Sequence, residues 1–76
     1  MNISKEQAAA IFDAVMSTNE NSKYQFTCEF AKRDGAIRVG VYVFSGGECI
    51  RYCLAFTEEH FERVMSLISE YKGVTA

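Results

Sequence analysis

The chain has no proline and no tryptophan, one histidine, and three cysteines without a CxxC pair. Each shortage removes a class of protein. Without proline, repeats or a low-complexity tract, nothing marks a linker, and residues 1–76 are expected to form a single domain. With one histidine and no paired cysteines, no metal-ligand set at zinc spacing can be drawn, so neither a metal nor any other cofactor is expected. Cys28, Cys49 and Cys53 are odd in number, which disfavours a disulfide framework. Basic charge is also short: eight Lys and Arg face ten Asp and Glu, a net −2 that lacks the footprint of a general nucleic-acid binder. No apolar run approaches the roughly 18 residues that span a bilayer, and the first ten residues lack the pattern of a secretory signal. A cytoplasmic setting with no membrane contact is the expectation.

What is present is an ordinary globular composition, 49% hydrophobic and 24% charged, in a chain long enough for one small core. Ser4 and Gln7 have the spacing of a capping box with Ile3 as a hydrophobic staple, so a helix should begin at Lys5. Ala8, Ile11, Phe12, Val15 and Met16 recur on one face until the polar run STNENS breaks the pattern near residue 18. Thr57 is a candidate N-cap for a second helix reaching about residue 72, with Phe61, Val64, Met65, Ile68 and Tyr71 as its stripe and Gly73 as its C′ residue.

Between the helices the period changes from helical to alternating. Tyr24, Phe26, Cys28 and Phe30 share one face of a first strand. Asp34-Gly35 and Gly46-Gly47 are two-residue hairpin signals that deliver a second strand over 36–45 and a third over 48–56. Straight ladders from these turns place Phe30, Cys28 and Phe26 opposite Val39, Val41 and Val43, and those valines opposite Leu54, Tyr52 and Ile50. The predicted fold is α+β: an α-β-β-β-α two-layer sandwich, its antiparallel meander in order 1-2-3 and both helices on one face.

That register leaves the opposite face bare, with Glu29, Gly40 and Cys53 in one row, Thr27, Tyr42 and Arg51 in the next, and Arg38, Phe44 and Cys49 nearby. A solvated sheet face normally alternates to polar residues, whereas an aromatic centre with arginines suits the middle of an interface. Arg38, Tyr42, Phe44, Arg51, Cys53 and Glu29 are therefore the candidate partner-binding residues, for a protein partner or a second copy. Glu58, Glu59 and Glu62 form a secondary acidic surface suited to a basic partner. Aromatic and Arg side chains on an open sheet also allow a base-stacking platform, a nucleic-acid alternative that the charge disfavours.

The α-β-β-β-α order resembles the layout of the double-stranded RNA-binding domain. That family carries a lysine cluster at the start of its last helix, where this chain has Thr57, Glu58, Glu59 and His60, so the likeness implies no phosphate binding there. In size, charge and layout the chain is also similar to the small inhibitor proteins of phages and mobile elements, anti-CRISPR proteins among them. No catalytic residue is assigned. Cys53 lies beside Arg51 but has no route to His60, and Cys49 stands roughly 13 Å along the strand from Cys53. The expectation is a non-enzymatic binding protein.

Overall fold

The structure is a computed structural model that describes residues 1–72 and 74. The elements run α1 (Lys5–Asn21), β1 (Gln25–Arg33), β2 (Ala36–Ser45), β3 (Glu48–Ala55) and α2 (Glu58–Tyr71). The sheet is antiparallel in the order β1-β2-β3. Both helices lie on one face, α1 against β1 and α2, and α2 against β3. The expected α+β two-layer sandwich is the observed one.

Local chemistry accounts for most boundaries. The capping box forms in full: Gln7 N–H donates to Ser4 Oγ at 3.1 Å and Ser4 N–H to Gln7 Oε1 at 3.0 Å. Both hairpin turns use positive φ at both central residues, Asp34 at 51° and Gly35 at 78°, then Gly46 at 60° and Gly47 at 86°, as a type I′ turn requires. Thr57 occupies the N-cap position of α2 without a side-chain cap bond, and the first helical N–H, that of Glu58, donates to the Met1 carbonyl at 3.1 Å. The C′ position assigned to Gly73 lies outside the described residues.

α1 runs to Asn21, past the polar break expected near residue 18. Thr18 is buried and its hydroxyl donates to the Ala14 carbonyl at 2.8 Å, so it stays within the helix. Asn19 then ties the helix end to the sheet. Its amide donates to the Phe26 carbonyl at 2.9 Å and accepts from the Phe26 N–H at 2.7 Å, pairing with the outer edge of β1 as a neighbouring strand would. The helix turns its stripe less squarely to the core than expected: Ile11 and Val15 are buried, whereas Phe12, beside Phe30, and Met16 are half exposed.

The β1–β2 register is the expected one, with Phe26 opposite Val43, Cys28 opposite Val41 and Phe30 opposite Val39. The β2–β3 register is not. It starts as the Gly46-Gly47 turn dictates, Ser45 opposite Glu48 and Phe44 opposite Cys49, but a bulge then leaves Ile50 as an extra residue and pairs Val43 with Arg51. From there Val41 faces Cys53 and Val39 faces Ala55, in place of Tyr52 and Leu54.

Size explains the switch. Both alternations of this strand contain apolar residues, so hydrophobicity alone does not choose between them. The helix-facing side of the sheet already carries Phe26 and three buried valines, and α2 adds Val64, Leu67 and Ile68. Small Ala55 and Cys53 let α2 approach closely, whereas Leu54 and Tyr52 would overfill the same layer.

Candidate functional site

The sheet face without helices is built by the observed register into four rows. Ala31 lies beside Arg38; Glu29, Gly40 and Leu54 follow; then Thr27, Tyr42 and Tyr52; then Gln25, Phe44 and Cys49. Tyr42 and Tyr52 stack with ring centroids 6.3 Å apart and 28° between planes. The Tyr42 ring leans back over Gly40, where a Cβ would meet its hydroxyl at 3.1 Å and a Leu54 methyl at 3.3 Å, so the glycine makes room for the ring. Arg38 holds its guanidinium carbon 5.0 Å from the Phe56 ring centroid.

This face is more apolar than the straight ladder implied. Tyr52 is 68% exposed and Leu54 44%, with Phe56 exposed next to them and Tyr42 and Phe44 half buried. A shallow dip of about 130 Å³ opens among Glu29, Ala31, Arg38, Gly40, Leu54 and Phe56. Glu29, Arg38, Tyr42 and Phe44 thus occupy the face on which the sequence placed them.

Arg51 and Cys53 do not, and their placement is corrected. The bulge turns both to the helix side. Arg51 pairs with Glu70 of α2 and hydrogen-bonds Tyr71 Oη at 3.4 Å. Those two hydrogen bonds, to Tyr71 and Glu70, raise its pKa above the usual arginine value. Cys53 packs against the core cluster. The residues that replace them, Leu54 and Tyr52, were missed together with Phe56. The signal available was volume: ECIRYCLAF offers one alternation with two small residues, Cys53 and Ala55, and a close-packed layer under a helix favours that one.

The remaining candidates are placed apart. Glu58, Glu59 and Glu62 are exposed on α2, away from the bare face of the sheet. His60 has a local structural part, its Nδ1 accepting the Phe56 N–H at 3.1 Å and its ring meeting Phe56 edge-on. Cys28 is half buried on the helix side, and burial raises its thiol pKa. Among the described residues no cluster of His, Cys, Asp and Glu has the spacing of a metal site, and no helix is long and apolar enough to cross a membrane.

No family model, no curated protein and no solved structure matches the chain. What the geometry defines is a two-layer α+β domain with one helix-covered and one bare sheet face.

Proposed function

We propose that the protein is a non-enzymatic binding protein that works by protein–protein contact through the bare face of its sheet. The observation that carries this is the pair Tyr52 and Leu54, exposed beside Tyr42, Phe44 and Phe56 on one side of a three-stranded sheet. A sheet face that remains in water alternates to polar side chains, and contiguous exposed aromatic and aliphatic groups with a polar rim are the composition of an interface centre. The nucleic-acid alternative loses ground, since Arg51 is engaged by Glu70 on the other side and Arg38 packs on Phe56. In the cytoplasm such a chain acts by covering a partner's surface. An inhibitory role of the phage or mobile-element kind, as in anti-CRISPR proteins, is proposed on size, charge and layout alone.

The test is a double substitution, Tyr52→Lys with Leu54→Lys, which adds charge to the face without touching the helix side. The variant is expected to keep its far-UV circular dichroism and to lose association, measured as solution mass by light scattering and as proteins retained by the immobilised chain. Association unchanged in both measurements would refute the proposal.

A further inference from the structure

Resting on that reading, we infer that the molecule covering the bare sheet face is a second copy of this chain, with Tyr52 of each copy seated in the dip beside Gly40 of the other. The face carries both a projection and a hollow. Tyr52 is the most exposed of its aromatic side chains, and the dip of about 130 Å³ has room for one aromatic ring. They lie in adjacent rows, separated by about 7 Å along the strand. A two-fold axis in the interface midway between them puts each projection over the other copy's hollow, so that one fit supplies two contacts.

The chemistry of the hollow suits that occupant. Its sides are Ala31, Leu54 and Phe56, which match a ring face, with Tyr42 leaning over Gly40 at one end, and Glu29 on its wall offers an acceptor for the incoming tyrosine hydroxyl. The four rows hold one carboxylate, Glu29, and one guanidinium, Arg38, so two copies of the face meet without net repulsion. A basic or acidic partner finds no such balance to exploit. The footprint of three strands is roughly 14 Å by 26 Å, about 700 Å² over the two copies, which is below the range of stable interfaces and makes the dimer weak and concentration-dependent.

Two surface variants and their mixture test the arrangement. Tyr52→Ser removes the projection and keeps the dip, while Ala31→Trp fills the dip and keeps the projection; circular dichroism confirms folding of each. Sedimentation equilibrium from micromolar to near-millimolar concentration is expected to show a reversible dimer for the natural chain. Each variant alone should raise the dimer dissociation constant by at least about thirtyfold. Mixing the two restores one of the two contacts, so the mixture should associate more tightly than either variant alone. A natural chain that is monomeric throughout overturns the inference, and so does a mixture no tighter than its components. The broader reading fails separately: it stands if the Tyr52→Lys, Leu54→Lys variant loses a retained protein, and falls with the inference only if the dimer and the retained proteins both persist unchanged in that variant.

Discussion

The three thiols differ in what their strands do with them. Cys49 is exposed at the hairpin end of β3, Cys53 is half buried against the core, and Cys28 is half buried under the helices, where loss of hydration disfavours its thiolate. Cys49 should react first with a thiol-specific reagent and Cys28 last, read by mass spectrometry of partly labelled protein. The raised pKa of Cys28 also has a sign. Above the ordinary thiol pKa of about 8.5 the unfolded chain loses this proton while the folded chain keeps it. The stability that follows is whole below that pH and declines as pH rises through the folded pKa. Urea melts at rising alkaline pH should show that decline, and Cys28→Ala should make the curve flatter; equal slopes for both chains would remove Cys28 as its source. The side taken by Cys28 was not hidden in the sequence, whereas that of Cys53 was. Cys28 alternates with Phe26 and Phe30, so its side of the strand was legible from period alone.

The elements themselves were legible where short-range chemistry decides them, and illegible where packing does. Ser4 with Gln7, Asp34-Gly35 and Gly46-Gly47 each state their geometry within four residues, and each forms as stated. The end of α1 and the face of β3 depend on partners distant in sequence, namely Phe26 for Asn19 and α2 for Ala55. No local pattern announces the bulge at Ile50, yet it decides which half of β3 meets solvent. A deletion exposes that logic. Removing Ile50 leaves every other β3 residue with its present partner, since Cys49 still faces Phe44 and Arg51 still faces Val43. The shortened chain should fold, at a cost of no more than about 2 kcal/mol, and keep Tyr52 reactive toward nitration. On a straight ladder the same deletion would exchange the two faces of β3 and bring Tyr52 and Leu54 outward from the core. Loss of cooperative unfolding in the deletion variant would contradict the bulged register.

For the whole molecule, the two helices and the sheet are joined at one corner by the first three residues. Ile3 is buried, pairs with Ile37 of β2, and donates its N–H to the Phe56 carbonyl at 3.3 Å; Asn2 pairs with Thr57, and the Met1 carbonyl receives the first N–H of α2. The start of α1, the start of β2 and the start of α2 are thereby held together by a short segment that the sequence marked only as a staple for one helix. A chain of this length has a total stability of about 4–11 kcal/mol, so a single buried side chain at such a junction matters. Ile3→Ala should cost about 2–4 kcal/mol, a fall in melting temperature of roughly 10–30 °C for a domain this small. Asn2→Ala changes an exposed side chain whose backbone makes the bridge, and should move the melting temperature by only a few degrees. Calorimetry on both variants separates the possibilities. If Ile3→Ala melts like Asn2→Ala, the corner is not what couples the two layers, and cohesion of the fold rests on the valines of β2 and their contacts with α1 and α2 alone.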